Sequence, residues 1–185
     1  MKKQRDAGVI LFIGAFVFSM AILIGEALRP TYSVHTDYLS GLGTGTNAAL
    51  FNYSIIFMGL MASLAGVILL SGGKKEAWHL ALVFVGVGAI GVGLFPENVN
   101  LFLHGHFAAL AFVAGGLAPL LFGLHKGTPL RVISPFIGIL ILSDFVLFWM
   151  GIPLSIGGGG KERLMVYPML LWAMAISGHL MNQKD

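Results

Sequence analysis

The sequence predicts an all-α, polytopic membrane protein in which six transmembrane helices form a single bundle over residues 1–185. Hydrophobic residues make up 57% of the chain and charged residues only 10%, whereas a soluble domain carries about a quarter charged residues. The mean hydropathy of +0.88 agrees with this composition. Backbone groups in lipid must find their hydrogen bonds within the segment, and the alternating pattern of a membrane β-barrel is absent. We therefore expect helices.

Six apolar runs are long enough to cross a bilayer core, which takes roughly 20 residues in a helix. They cover residues 8–28, 48–71, 77–95, 101–124, 132–151 and 164–181. The connectors are short apart from residues 29–47, and they contain helix-breaking signals such as the glycine run at 157–160. The first run resembles a signal peptide but lacks a convincing small-residue cleavage site, so we expect it to remain as the first span.

The distribution of basic residues predicts the orientation of the bundle. Arg29, Lys161 and Arg163 fall on one side of the membrane. The other eight of the eleven basic residues fall on the opposite side, at Lys2, Lys3, Arg5, Lys74, Lys75, Lys126, Arg131 and Lys184. Because positively charged connectors stay in the cytoplasm, we expect both termini inside and a location in the cell membrane. Most other ionisable side chains then collect near the outer surface.

The composition also excludes whole classes of function. The chain has no cysteine, which excludes thiolate catalysis, disulfides and thiolate metal sites. A nucleic-acid binder clusters its lysines and arginines on one face or stripe, whereas here they stand in short connectors between apolar runs. We therefore predict no nucleic-acid partner.

Small residues at helical spacing predict close contacts between helices. Gly86, Ala89 and Gly93 share a face of the third span, and Ala111 and Gly115 share a face of the fourth. Such spacing lets backbones approach closely where lipid supplies no hydrophobic drive for helix association. We interpret both faces as packing surfaces of the bundle.

Asp144 is the most informative polar residue, because it lies within the fifth span. A carboxylate at the centre of a membrane helix costs about 2.5–3.5 kcal/mol on insertion scales, so its side chain should face the bundle and find a partner. Arg163, Arg29 or His104 could supply that partner from a neighbouring element. The residue is either a ligand or proton contact in an outward pocket or half of an ion pair that fixes helix packing.

His104 and His106 lie near the outer end of the fourth span and cannot serve one site together. On a helix, residues i and i+2 are separated by about 200° of rotation. His104 shares a face with the small residues Ala108 and Ala111, so we predict that it points inward. Its role is then that of a general base, a hydrogen-bond donor or a metal ligand, or simply that of a histidine bonded at a helix end.

The first loop carries a second group of candidates: His35, Asp37, Tyr38 and Ser40. The segment could lie flat at the membrane interface, where tyrosines are common, or plug the outer mouth of the bundle. His35, Asp37 and His104 offer two imidazoles and a carboxylate, which would suit zinc with an open position. The spacing is no signature, so we assign no metal site and no cofactor, and zinc remains an alternative.

Glu162 and Arg163 open the last predicted span. An acidic residue suits a helix N-terminus, and Arg163 can hold an anion such as a lipid phosphate with two hydrogen bonds. The alternative is a pair that snorkels to the headgroups. Glu26 and Arg29, three residues apart, could simply pair on the surface of the first helix.

Three short motifs carry a resemblance to a known family. Asp37-Tyr-Leu-Ser-Gly-Leu-Gly follows the first span, Phe95-Pro96 precedes His104, and Glu162-Arg163 opens the last span. Together they resemble a prokaryotic and archaeal family of six-helix membrane proteins, domain of unknown function 998. That family is distantly similar to the eukaryotic Frag/DRAM/Sfk group, which is associated with lipid organisation and glycolipid-anchor remodelling. The resemblance implies that its matched positions are signature residues, at Asp37, Ser40, Gly43, His104, Glu162 and Arg163.

These observations predict an outward-facing polar pocket, lined by the first loop and spans four to six, that binds or organises a lipid headgroup or another amphiphile. Its expected ligand contacts are Asp144, Arg163, Glu162, His35, Glu26 and Tyr38. One alternative is an intramembrane lipid hydrolase or transferase, with His104 as base, Asp37 and Ser40 beside it and Arg163 holding the anion. Another is a small transporter. Membrane lipids are the expected partners, and a homo-oligomer is compatible with the sequence.

Overall fold

The computed structural model describes residues 2–72, 75–124 and 127–182, and these residues contain helices and no strand. The six long helices are α1 (Lys2–Ala27), α2 (Ala48–Leu70), α3 (Ala77–Leu94), α4 (Glu97–Phe122), α5 (Pro129–Trp149) and α6 (Gly157–Met181). Each is long and apolar enough to cross a membrane. The chain is therefore an all-helical, multi-pass membrane protein, as predicted. Lys74, Lys126 and Lys184, which contribute to the predicted orientation, lie outside the described residues.

The helices form an antiparallel ring, in which each helix packs on the next and α6 returns to α1. A methyl group added at Gly8, near the start of α1, would lie 2.8 Å from the Ser177 carbonyl oxygen near the end of α6. We call the end where α1 begins and α6 ends the terminal end. The opposite end is the loop end, and it carries a short 3₁₀ turn at Ser40–Gly43.

Glycines bring α3 close to both of its neighbours. A methyl group at Gly86 would overlap the Gly59 carbonyl oxygen of α2, and one at Gly88 would lie 2.6 Å from the Ala111 backbone nitrogen of α4. The predicted packing role of Gly86 is therefore confirmed. Ala89, placed by the sequence on the same face, instead lines a cavity inside the ring.

The start of α6 corrects the predicted boundary. The helix begins at Gly157 and includes the glycine run that was interpreted as a break before residue 164. Gly157 has a φ of +73°, a conformation that glycine adopts without strain. A methyl group at Gly157 would overlap the His35 carbonyl oxygen, and one at Gly159 would overlap that of Asp37. The bare first turn of α6 therefore lets the first loop pack directly on it.

Because α6 begins early, three charged residues lie within the helix and not at its N-terminus. Lys161, Glu162 and Arg163 have relative exposures of only 7%, 6% and 5%. The alternative in which Glu162 and Arg163 snorkel to the headgroups is therefore wrong. Their side chains have to find partners within the protein, because a buried charge without one is costly.

The terminal end is closed by an ion pair that the sequence analysis does not anticipate. Arg131 Nη2 at the start of α5 lies 3.2 Å from Glu76 Oε1, just before α3. The Arg131 guanidinium also lies over the Phe122 ring, 4.2 Å from its centroid, and Trp78 Nε1 donates to Glu76 Oε2 at 2.9 Å. These contacts tie three helices together at that end of the ring.

Candidate functional site

A cavity of about 60 Å³ lies inside the ring, and its walls are divided by polarity. Its lining residues come from α1, α2, α3, α4, α6 and the Ser40–Gly43 turn. The polar part is formed by Ser40, His104 and Glu162 at the loop end. Most of the wall is apolar and includes Phe18, Met58, Ala89, Ala108, Val166 and Leu170. We refer to this space as the central cavity.

Glu162 holds the turn over the polar end of the central cavity. Its carboxylate accepts hydrogen bonds from the backbone nitrogens of Leu39 and of Ser40, the latter at 3.1 Å from Oε1. The side chain is buried, so these charge-assisted bonds form in a low-dielectric environment, where they are stronger than in water. The turn is thereby fixed to the second turn of α6.

Glu97 is a site residue that the sequence analysis missed. It is the first residue of α4, and its Oε1 accepts a hydrogen bond from Ser40 Oγ at 2.7 Å. In the sequence it stands in a Pro-Glu-Asn connector, where a carboxylate is most simply interpreted as a solvated charge at a helix start. Asn100, between Glu97 and His104, has a non-helical backbone with φ −158° and ψ 94°, so helical spacing from His104 gave no signal for Glu97.

His104 points into the bundle, as predicted, with a relative exposure of 6%. Its Nδ1 lies 3.1 Å from the Phe95 carbonyl oxygen. A carbonyl can only accept, so Nδ1 carries a proton. Nε2 faces Glu97, 3.6 Å from Oε1. His106 is exposed on the other side of α4, which confirms that the two histidines do not share a site.

Arg163 belongs to a different contact, between α6 and α1. Its Nη2 donates to Glu26 Oε1 at 2.6 Å and to the Tyr32 hydroxyl at 2.7 Å. Its Nη1 donates to the carbonyl oxygens of Gly159, Asp37 and Val34, and Nε bonds to Glu26 as well. All three nitrogens of the guanidinium therefore donate to acceptors of the protein itself.

Tyr32 adds a neutral bond to this arrangement. It is partly buried in the first loop, and burial raises the pKa of its hydroxyl from 10.0 to about 12. The phenol therefore keeps its proton at neutral pH and donates it to the Tyr38 carbonyl oxygen at 3.0 Å. Because the folded state has the higher pKa, the stabilisation is complete below pH 10.0 and is lost as the pH rises through about 12.

Arg29 clamps the chain around the Ser40–Gly43 turn. Its guanidinium donates to the carbonyl oxygens of Gly41 and Leu42 at 2.9 Å and of Thr46 at 2.8 Å, and also to that of Thr44. The alternative of a surface pair between Glu26 and Arg29 is therefore wrong. Glu26 bonds to Arg163 across the helix interface, while Arg29 lies just beyond the end of α1 and reaches the loop backbone.

Asp37 accepts hydrogen bonds from residues of its own loop. Oδ2 accepts a hydrogen bond from the Ser33 backbone nitrogen at 2.8 Å, and Oδ1 accepts one from Thr36 Oγ1 at 3.3 Å. With Arg29 and Tyr38, Asp37 lines an open polar depression of about 320 Å³ on the loop surface, separate from the central cavity. The structure therefore does not bring Asp37 next to His104.

His35 and Tyr38 attach the first loop to the end of α5 and to the segment after it. His35 Nε2 lies 3.1 Å from the Ser155 carbonyl oxygen. The Tyr38 ring packs edge-on against the Phe148 ring, with 5.7 Å between centroids. Across residues 2–72, 75–124 and 127–182, no group of three His, Asp or Glu side chains is arranged to hold a metal ion. His35, Asp37 and His104 are accordingly not gathered into one set of ligands.

Asp144 is buried at a relative exposure of 3%, yet it makes none of the predicted contacts with Arg163, Arg29 or His104. Within the described part of the chain, neither carboxylate oxygen has a hydrogen-bond partner. The cation whose field acts on it is Lys161 of α6. Lys161 Nζ donates to the Ile152 carbonyl oxygen at 2.8 Å, and the sequence analysis placed it in a connector.

The predicted candidates thus divide among several places. Ser40, His104 and Glu162 meet at the central cavity, Glu26 and Arg163 join α1 to α6, and Asp144 lies apart on α5. The loop residues His35, Asp37 and Tyr38 make their contacts at the loop surface.

The closed ring of six helices, each long and apolar enough to cross a membrane, defines a polytopic membrane protein with a cavity inside the bundle. The chain belongs to the DUF998 family, described as a protein of unknown function, whose profile matches residues 12–179. Comparison with curated proteins and with solved structures finds no significant match. The family assignment agrees with the resemblance that the loop and helix motifs carry.

Proposed function

We propose that this protein binds a membrane amphiphile by its head group and first carbons in the central cavity, with the polar group of the ligand at Ser40, His104 and Glu162. The observation that carries the proposal is the division of the cavity wall into one polar end and a larger apolar part. Small-molecule sites combine such an apolar lining with a few convergent polar groups. We further propose that the loop end faces outward in the cell membrane, so that the ligand comes from the outer leaflet.

The open depression on the loop surface is a weaker candidate for the ligand site. The Asp37 carboxylate and the Arg29 guanidinium that line it already bond to the protein's own loop. A ligand there would have to replace these bonds, whereas the central cavity offers space beside polar groups. The apolar wall also supplies the hydrophobic part of the binding energy.

A second candidate function, hydrolysis or transfer at a lipid ester, is favoured by one observation. Ser40 Oγ and His104 Nε2 approach the same oxygen of Glu97, at 2.7 and 3.6 Å. Glu97 is therefore placed to take the Ser40 proton. Against this function, the backbone nitrogens of Leu39 and Ser40 already bond to Glu162, so they are not free to stabilise an oxyanion. Binding therefore remains the first proposal.

The test of amphiphile binding fills the cavity with a single side chain. Ala108 lines the central cavity, whereas Ala175 is exposed on the outer face of α6. We expect Ala108→Phe to lower octanol affinity at least tenfold and to remove copurifying amphiphiles seen by native mass spectrometry. Ala175→Phe is the matched control and should change neither. Equal octanol affinity in both folded variants would contradict the proposal.

The same purified protein separates binding from catalysis. If the protein only binds, an octyl ester incubated with the unmodified protein stays intact. Ester cleavage by the unmodified protein that disappears in Ser40→Ala would establish the second candidate instead.

A further inference from the structure

At the polar end of the central cavity, two side chains have hydrogen-bond acceptors left free. Ser40 has a single hydroxyl proton and donates it to Glu97, so its oxygen offers lone pairs to any other partner. Glu162 accepts two backbone N–H groups through its carboxyl oxygens, and each oxygen retains a further lone pair. Both side chains therefore present acceptors to the cavity.

His104 has one ring nitrogen committed and one without a hydrogen bond. Its Nδ1 proton is directed to the Phe95 carbonyl oxygen at 3.1 Å. Nε2 lies 3.6 Å from Glu97 Oε1, beyond hydrogen-bond distance. Nε2 is therefore a further polar contact for a head group.

The cations of the loop end are committed elsewhere. Arg29 donates to four backbone carbonyls, and Arg163 donates to Glu26, Tyr32 and the first-loop backbone. Lys161 donates to the Ile152 carbonyl oxygen between α5 and α6. Among the described residues, no lysine or arginine lines the central cavity. An anionic head group there would meet the Glu162 carboxyl oxygens with no lysine or arginine to compensate its charge.

We infer that the central cavity selects a single-chain amphiphile whose head group donates hydrogen bonds, namely a protonated primary amine or an alcohol, and discriminates against carboxylate and phosphate heads. This inference rests on the proposed function and names the class of its ligand. An ammonium supplies three donors and a positive charge, which complement the oxygens of Ser40 and Glu162 that line the cavity. A carboxylate or phosphate would add repulsion in a site of low dielectric, where like charges interact strongly.

The first measurement compares octylamine, octanol and octanoate on the purified full-length protein at neutral pH. The three probes share one apolar chain, so differences in affinity report the head group. We expect octylamine to bind at least tenfold more tightly than octanoate, with octanol also ahead of octanoate. Octanoate affinity equal to or above that of octylamine would overturn the inference.

The second measurement changes the charge at the polar end. Glu162→Gln keeps an oxygen that can accept from the Leu39 and Ser40 nitrogens but adds donors and removes the charge. We expect the preference for octylamine over octanoate to fall several-fold. Asp6 is an exposed carboxylate near the terminal end of α1, so Asp6→Asn is the matched control and should keep the full preference.

Glu97→Gln provides an independent variant should Glu162→Gln fail to fold, and the same loss of preference is expected. An unchanged preference in a folded variant would overturn the inference. Failure of the proposed function is a different result, because octanol binding would then survive Ala108→Phe. A protein that binds octanoate best and loses it in Ala108→Phe would keep the function and refute the head-group selectivity.

Discussion

Glu162 and Arg163 are neighbours in the chain, and their side chains reach different sites. Successive residues on a helix are rotated by about 100°. Glu162 therefore bonds to the Ser40–Gly43 turn beside the central cavity, while Arg163 turns toward Glu26 of α1. The two residues together fasten the first loop, because Arg163 also donates to the Asp37 carbonyl oxygen. The motif that appears as one unit in the sequence thus supports both the cavity and the helix interface.

Asp144 is buried, and its carboxylate has no hydrogen-bond partner among the described residues. Ser134, on the same helix, is equally buried, but its Oγ accepts a hydrogen bond from Trp172 Nε1 at 2.8 Å. Both oxygens of Asp144 lack any such partner among the described residues. A buried polar group without a partner opposes folding, whereas a satisfied one contributes to the contact between α5 and α6.

This difference predicts opposite effects of two substitutions on α5. Asp144→Leu removes an unpartnered carboxylate and keeps a similar volume, so we expect Tm to rise by a few degrees. Ser134→Ala leaves Trp172 Nε1 unsatisfied and should cost about 1–3 kcal/mol of unfolding free energy. Thermal unfolding in one detergent compares both variants. A fall in Tm for Asp144→Leu as large as that for Ser134→Ala would show that the carboxylate has a bound partner.

At the scale of the element, the first turn of α6 determines how the first loop is seated. Gly157–Gly160 expose the helix backbone, and the loop packs where side chains would otherwise stand. Gly159 N also donates to the His35 carbonyl oxygen at 3.1 Å. Glycine normally weakens a helix, so its use here is explained by the close approach of the loop and not by helix stability.

Two glycines of the same helix test this explanation. A methyl group at Gly159 would overlap the Asp37 carbonyl oxygen, whereas one at Gly178 meets no atom within 4 Å. We expect Gly159→Ala to cost about 1–3 kcal/mol of unfolding free energy through overpacking. The same change at Gly178 should be neutral or stabilising by up to about 1 kcal/mol, since alanine favours helices. Chemical or thermal unfolding measures both, and equal effects would contradict a special role for the first turn.

At the scale of the whole molecule, the ring separates two polar ends. Glu76 and Arg131 close the terminal end, and the loop end carries the Ser40–Gly43 turn and the polar part of the central cavity. The apolar middle of the bundle lies between them. The excess of lysine and arginine in the connectors of the terminal end predicts that this end faces the cytoplasm.

The predicted orientation is tested by single cysteines, because the chain has none of its own. Thr46, at the loop end, and Lys75, in the connector between α2 and α3, are both exposed. In intact cells, a membrane-impermeant maleimide should label Thr46→Cys and should reach Lys75→Cys only after permeabilisation. The reverse pattern would invert the orientation and move the proposed entry of the amphiphile to the inner leaflet.

The sequence predicts the helices well and their starts less well. The length and hydropathy of each span are local properties, and all six spans appear as helices. The start of α6 differs because a glycine run is usually a break, and the contact that makes it helical comes from the distant first loop. His104 was assigned inward correctly because small residues shared its face, whereas Glu97 had no such signal.

The sequence by itself determined the membrane class, the number and order of the helices, and the family, since these follow from composition, run length and short motifs. Only the tertiary structure decided which polar side chains meet: Ser40 with Glu97, Glu162 with the turn, and Arg163 with Glu26. The physical reason is that lipid is as apolar as the interior of a bundle. A spanning helix is therefore apolar all round, and its hydrophobicity does not mark the face that turns inward.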